Sequence, residues 1–549
     1  NPYYKSQIDG SGLDINDPNF DKTIVYRTSG QNQMKTYSGG TGSGRGRDWY
    51  IEASIRYNRR FGDHNVGALV LYNQSKEYYP PQYSEIPTAY VGLVGRLTYD
   101  YKSKYLAEFN IGHNGSENFA PGKRFGTFPA GSIGYVLSEE EFFPSNDILT
   151  YLKMRASVGL VGNDNMRNNR FLYIGSYSID NKASIDGGWD NNGYIFGLNS
   201  TAYLLGAFEK DMANKDVSWE TALKQNYGID SYFFNNRLKI SADYFMEKRR
   251  DILINRLTVP EMISIESILP VVNMGKVNNR GYEIELKWSD SFKDFSYYIN
   301  ANMSYSRNKI VFMDEVEPNE PYMRKTGHEV GAILGYEALG FYSENDFDPD
   351  GTLRDDLPQP LTKKIPGDVK FADLNGDNVI DSDDQKIIGK PKRPRYTFGL
   401  NFGAEYKGFF FSMNWTGVTG NNSELSKWFK RPMENSPLFQ YMADNIWTES
   451  NAASAKYPVM GGSSDNINTS SIWLKDGSYL KLKNLTIGYN ITNKKVLNAI
   501  SASKFSIQLT GYNLLTFDKL KIADPESNLS VDNTYPVTRI LSIGANITF

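Results

Sequence analysis

The densest run of side chains able to do chemistry is Asp373-Leu374-Asn375-Gly376-Asp377-Asn378-Val379-Ile380-Asp381-Ser382-Asp383-Asp384. Side-chain oxygens from Asp373, Asn375, Asp377, Asp381 and Asp384 fall at positions 1, 3, 5, 9 and 12 of this run, and Val379 offers its carbonyl at position 7. That is EF-hand-like spacing, in which hard oxygen ligands surround Ca²⁺. Two positions depart from the pattern: Asn378 replaces the usual Gly, and Asp384 replaces the usual Glu. Asn tolerates the left-handed backbone, so the turn remains feasible. The reading without metal is a polar loop held by Asx turns. Ca²⁺ is the single cofactor that the sequence suggests.

Other chemistry is sparse. The three histidines, His64, His113 and His328, are far apart, and there is no cysteine. Thiolate zinc sites and disulfide frameworks are therefore excluded. No G-x-S-x-G, H-E-x-x-H or P-loop occurs. The acids Glu139-Glu140-Glu141 read as a solvated rim, and no residue is assigned a catalytic role, so the chain is not expected to be an enzyme. Trp415, Trp447 and Trp473 are suited to stacking on sugars, although lipid girdle or loop core is the commoner use of such aromatics. Lys and Arg number 60 against 63 Asp and Glu, for a net charge of −3, so no basic excess points to nucleic acid.

The elements that must position these residues are strands. Tyr, Phe and Trp make up 14% of the 549 residues, yet no apolar run reaches the roughly 18 residues of a membrane helix. Strict alternation dominates instead. In 49–58 the odd positions are apolar or aromatic, and Glu52, Ser54, Arg56 and Asn58 alternate with them. The pattern returns at 152–160, 238–247, 282–288, 297–306 and 398–406. Strand geometry sends the two sets to opposite faces. The runs extend over about 9–12 residues, the length of a tilted membrane strand, against about 5–6 for soluble strands. Fifteen or sixteen such strands are expected, giving an all-β fold: a large antiparallel transmembrane β-barrel. A helical segment is expected only within 435–447.

Short turns (61–63, 102–104, 235–236, 407–408) contrast with long connections rich in Asn, Asp, Ser, Gly and Pro at about 164–216, 312–392 and 421–476. Short turns on one rim and long loops on the other is the outer-membrane arrangement. The chain ends Ser542-Ile543-Gly544-Ala545-Asn546-Ile547-Thr548-Phe549. Ser542, Gly544, Ile547 and Phe549 match the pattern of an outer-membrane insertion signal, in which the last strand pairs with the edge of the barrel-assembly machinery.

Several segments, in order, resemble the SusC-like branch of the TonB-dependent transporters. They are 105–109 with 115–126 (GSENFAPGKRFG), 152–163 (LKMRASVG ending in GN), Trp219-Glu220 with 234–238 (FNNRL), 279–284 (NRGYEI), 367–377 (GDVKFADLNGD), 479–489 (YLKLKNLTIGY) and 511–517 (GYNLLTF). The coverage runs from about residue 90 to the end. The resemblance implies an outer-membrane location in a Gram-negative bacterium of the Bacteroidota, a SusD-like surface lipoprotein as partner, and energy from the TonB complex. It also implies a barrel of roughly 22 strands, of which residues 1–549 would be the C-terminal part. The family's N-terminal extension, TonB box and plug are not recognisable in this sequence, and Asn1-Pro2-Tyr3-Tyr4 does not read as a signal peptide or a native start.

Three functional readings follow. The first is TonB-dependent import of oligosaccharide or peptide nutrients. The second is a structural SusC-like subunit of an outer-membrane assembly without transport. The third is a soluble all-β glycan-binding protein or glycosidase, which would need inward apolar cores.

Overall fold

The computed structural model describes residues 4–6, 26–28, 46–79, 86–144, 146–166, 170–179, 193–196, 202–205, 207–260, 269–431, 438–520, 523–527 and 537–549. The chain divides into two compact units, one of residues 1–49 with 77–87 and one of residues 50–76 with 88–549. In the first, Tyr4–Ser6 pairs antiparallel with Tyr26–Thr28.

A single antiparallel sheet of 15 strands organises the chain. We number its strands β1 (Arg47–Phe61), β2 (His64–Tyr78), β3 (Thr88–Tyr101), β4 (Tyr105–Ser116), β5 (Phe125–Val136), β6 (Leu149–Asn163), β7 (Glu220–Phe233), β8 (Leu238–Ile254), β9 (Val272–Phe292), β10 (Phe295–Phe312), β11 (Tyr396–Tyr406), β12 (Phe409–Thr419), β13 (Tyr479–Asn490), β14 (Lys504–Asp518) and β15 (Ile540–Thr548). Each strand neighbours the next in sequence, from β1 to β15. Such a meander needs only local pairing and tight turns. Left-handed backbone closes several of these turns, at Gly62, Lys102 and Ser103, Asn235 and Asn236, and Lys407 and Gly408. All are on the short-turn rim foreseen from the sequence.

The alternation sorts the two faces as expected, and it is the apolar face that lies open. Ile55 (78% exposed), Ile133 (67%) and Ile543 (82%) stand clear of other protein atoms. A soluble sheet protein buries that face, so the soluble reading fails here: the core of this wall is supplied by lipid. At the short-turn end the outward aromatics pair into a girdle. Ring centroids are 5.1 Å apart for Tyr105 and Tyr135, 6.2 Å for Phe234 and Trp288, and 4.6 Å for Phe409 and Tyr489.

Several strands outrun the alternating segments seen in the sequence. β9 has 21 residues and β10 has 18. A membrane strand needs about 9–11 residues, so these two project past the apolar band on the side of the long connections. There the outward side chains turn polar and alternation no longer marks the strand. Of the segment expected to be helical, Gln440–Ala443 forms one turn, and 435–437 lie outside the described residues.

Candidate functional site

On the polar face of the sheet, Arg155 anchors a compact ionic group with Asp230 and Asp243. Arg155 on β6 donates through Nε to Asp230 on β7 (3.1 Å) and through Nη2 to Asp243 on β8 (2.6 Å) and to Ser241 (3.3 Å). Ser241 in turn donates to Asp230 at 2.6 Å. Register explains the convergence: Arg155 lies opposite Gly228, and Gly228 opposite Asp243. A Cβ on Gly228 would fall 2.6 Å from the Arg155 guanidinium carbon, so only glycine lets the side chain cross. On the same face a cavity of about 790 Å³ is lined by Asn58, Arg60, Asp100, Glu108, Lys153 and Arg155. Both charge signs line it, with hydrogen-bond donors and acceptors, so it suits polar ligands rather than apolar ones.

The long connections are folded structures. Asp368, fully buried, accepts from the Ile365 and Ser463 backbone N–H groups (2.8 Å each) and from Asn466 Nδ2 (2.7 Å). The Asn466 side-chain carbonyl accepts from the Val369 N–H at 2.9 Å, and its backbone carbonyl accepts from the Trp473 indole at 2.7 Å. These bonds lock the connection 313–395 to the connection 420–478. Lys364 pairs with Asp465 beside them. Burial pushes the Asp465 carboxyl up, but hydrogen bonds from Lys364, Thr362 and Ser463 outweigh it and hold the pKa below the usual carboxylate range. Leu425, Met442, Ile446, Tyr457, Trp473 and Leu520 form an apolar core, and Val369, Phe371 and Ile380 a second one. Burial pushes the phenols of Tyr342 and Tyr457 up to about 12.

The Asp373 run belongs to this assembly. Residues 359–360 pair in parallel with 379–380, and Asn319 donates to the Asp383 carboxylate at 2.8 Å. Asn378 takes the left-handed conformation (φ +63°) that position 6 requires. The candidate ligands serve the backbone. Asp373 accepts from the N–H groups of Gly376 (2.7 Å) and Asn378 (3.0 Å), Asn375 from Asp377 (3.1 Å), and Asp377 from Val379 (2.8 Å). Asp381 accepts from Asp383 (2.8 Å), and buried Asp384 accepts from Leu374 (2.6 Å) and Asp381 (3.0 Å). Among the described residues no three acidic or histidine side chains converge as metal ligands. The backbone course and the oxygen set suit Ca²⁺, but as arranged the carboxylates accept from backbone N–H groups. Holding a cation would require Asp373, Asp377, Asp381 and Asp384 to swing toward a common centre.

At the C-terminus, β15 pairs with β14 so that Ser542 faces Thr510, Gly544 faces Gln508 and Ile547 faces Phe505. Phe549 follows the strand and is 84% exposed.

The sequence motifs turn out to be joints where long connections meet the wall. Phe119, Met166, Val217, Trp219 and Leu253 pack into one buried cluster. Glu220 accepts from the Asn163 side chain (2.9 Å) and from the Leu253 N–H (3.3 Å). Lys481, fully buried, holds both oxygens of Asp524 at 2.6 Å and Glu526 at 3.0 Å. Sequence reasoning missed Arg155, Asp368, Asn466 and Lys481 as functional candidates. Arg155, Asp368 and Lys481 lay inside the motif segments without any local sign of a partner, and Asn466 lay outside them. Trp473, singled out for sugar stacking, is 1% exposed, and Trp447 is likewise buried: both are loop core. Trp415 lies on β12 beside Phe517, their centroids 6.3 Å apart.

Comparison with known proteins agrees with this architecture. The family described as "TonB dependent receptor-like, beta-barrel" matches residues 1–514. "TonB-dependent receptor P3" of Formosa agariphila is 29% identical over 91% of this chain and 52% of its own length. "TonB-dependent receptor SusC" of Bacteroides thetaiotaomicron is 27% identical over 84% of this chain and 44% of its own length. The chain thus spans about half the length of these curated relatives. Among solved structures, the RagAB peptide importer in its closed-closed state aligns with a TM-score of 0.69 at 20% identity, over 92% of this chain and 56% of that one. The likeness is one of fold.

Proposed function

Because this chain belongs to the TonB-dependent receptor-like β-barrel family of the outer membrane, we propose that it supplies wall and outer rim to an importer of oligosaccharides or peptides. In this reading a SusD-like lipoprotein docks on the long-connection side, and the TonB complex provides energy through parts of the protein outside this chain. The barrel-assembly machinery would receive Ser542, Gly544, Ile547 and Phe549 during insertion. The observation that carries the proposal is the interlocking of 313–395 with 420–478 around buried Asp368. Capping two strand pairs needs only a few residues each. Two long connections sharing cores and a buried polar network make a rigid platform of the kind that a docking partner or substrate requires.

The RagAB peptide importer shares the fold, and a shared fold leaves the substrate class open. The mixed-charge cavity at Arg155 would suit the termini and side chains of peptides, and its neutral hydrogen-bonding lining would suit sugars. The test is growth and uptake by cells producing the full-length protein, with Arg155→Ala and Asp230→Ala against wild type. Labelled peptide mixtures and labelled oligosaccharides are supplied separately, and membrane levels are checked in each strain. Loss of uptake of one class at unchanged protein level is expected. Deletion of the gene with no change in uptake of either class would overturn the importer reading and favour a structural subunit.

A further inference from the structure

The outward face is not uniformly apolar along its height. Five strands in succession place a tyrosine in one cross-strand row: Tyr227, Tyr244, Tyr282, Tyr305 and Tyr396 are registered neighbours on β7, β8, β9, β10 and β11. Ring centroids are 5.2 Å apart for Tyr282 and Tyr305 and 4.6 Å for Tyr305 and Tyr396. Immediately beyond this row, toward the long connections, the same face becomes cationic. β8 presents Lys248 and Arg250, β9 presents Arg280, and β10 presents Arg307 and Lys309, all exposed. Arg280 lies opposite Arg307, while Asn278 lies between Lys248 and Lys309. At roughly 4.8 Å between strands, Lys248 and Lys309 are about 10 Å apart along the backbone.

The height of this patch follows from strand geometry. Arg280 is eight residues from Trp288 of the short-turn girdle on the same strand. A tilted strand climbs about 20 Å over that interval, and an outer-membrane apolar band is about 25 Å tall. Arg280 therefore stands near the outer boundary of the band, where its long side chain extends to the headgroup level. Lys or Arg deeper in the band would be far more costly. The patch is also local: β7 carries Leu223 opposite Lys248, β6 carries Leu160, and β12 ends in Thr419. Among the described residues no carboxylate pairs with Lys248, Arg250, Arg280 or Lys309; Arg307 alone approaches one, Glu329 at 3.7 Å, which Arg395 already engages.

From the surface beneath Lys248 and Arg280, an apolar trough of about 930 Å³ runs sideways along the outward face toward β4, level with the tyrosine row and below it. Ala107, Ala156 and Ala242 lie among its lining, with Tyr227, Tyr244 and Tyr282 at one side. Small side chains among tyrosines leave a channel for hydrocarbon chains.

We propose that β8, β9 and β10 form a binding site for an anionic lipid of the outward leaflet: a phosphorylated, multiply acylated glycolipid. Its phosphate sits among Lys248, Arg250, Arg280 and Lys309, and its acyl chains lie against the tyrosine row and the alanine-lined trough. The uncompensated cations call for an anion, and the apolar surface directly beneath them calls for an anion that carries hydrocarbon. An acidic protein surface would satisfy only the first requirement.

The test uses the full-length protein extracted from outer membranes, as wild type and as the combined variant Lys248→Gln, Arg250→Gln, Arg280→Gln, Lys309→Gln. Normal heat-modifiable migration of the variant confirms its barrel, and a charge-keeping variant, Arg280→Lys with Lys248→Arg, controls for surface disturbance. Phosphorylated lipid carried through purification is quantified by mass spectrometry. Both proteins are then placed in vesicles of phosphatidylcholine alone, with lipid A, or with dephosphorylated lipid A, and lipid retention and thermal shift are read. Wild type and the charge-keeping variant should retain about tenfold more lipid A than the neutral variant, less so at high salt, and should ignore the dephosphorylated form. Equal retention by all variants overturns the site. Equal response to inorganic phosphate shows a free-anion site and overturns the lipid assignment. Loss of a co-purifying lipoprotein with lipid retention unchanged shows a protein-docking patch and overturns it as well.

Discussion

The wall and the loop assembly are built from the same chain on opposite principles. The wall has no interior: its apolar side chains face outward, and its cohesion comes from sequential ladders that pair backbone polar groups strand to strand. The assembly formed by 313–395 and 420–478 is organised like a small soluble protein, with apolar clusters around Trp473 and Val369 and a buried carboxylate, Asp368, fully hydrogen-bonded between them. The difference teaches that solvent decides the rule. Where lipid covers a face, alternation suffices. Where water does, the chain must assemble a core from distant segments.

If that contrast is real, single substitutions should damage one region and spare the other. The largest effect is expected at Gly281, where an added Cβ would come 1.9 Å from the Tyr305 carbonyl oxygen across β9 and β10. Gly281→Val should cost about 3 kcal/mol or more through overpacking against backbone, and should lower the yield of heat-modifiable barrel. Full barrel yield would show that the wall tolerates a local break in its ladder.

Trp473→Ala should follow in its effect on the barrel: it removes the largest fully buried side chain of the loop core, and its cost of about 3–5 kcal/mol should stay within that core. Protease should then cut 313–395 and 420–478 while heat-modifiable migration persists. Joint loss of both would mean that the two regions fold as one unit.

Acid should act on the loops before the wall. Asp476 is held down to about 2: burial raises it, but hydrogen bonds from Ser478 and Lys519 prevail. Asp465 is lowered in the same sense. A depressed carboxylate stabilises the folded state above its unfolded pKa, and that contribution is lost as pH falls through the folded value. Protease sensitivity of the loop assembly should therefore rise from about pH 4 down toward pH 2, with the strand signal in circular dichroism unchanged. A simultaneous transition of both would remove the distinction.

The smallest effect concerns calcium. Adding a chelator should increase cleavage within 312–392 and leave barrel migration untouched if Asp373, Asn375, Asp377, Asp381 and Asp384 hold the ion. Unchanged cleavage assigns these oxygens to the backbone hydrogen bonds in which they are seen.

The sequence by itself determined the wall. Alternation such as that of 238–247, turn residues such as Asn235 and Asn236, and the run to Phe549 each report on neighbours within one strand or one turn, and the code for a sheet face has a period of two. It also exposed the motif blocks, because they lie in order along the chain. It did not reveal why those blocks matter. That Asp368 is fully buried against Asn466, or that Lys481 closes on Asp524, depends on segments 98 and 43 residues apart meeting in space. The same holds for the cationic patch: Lys248, Arg280 and Lys309 are ordinary charges on three separate strands until the register of β8, β9 and β10 sets them side by side above the tyrosine row. Pairing register and the packing of long connections are long-range quantities, fixed by the whole set of contacts rather than by any local pattern, and only the tertiary structure could decide them.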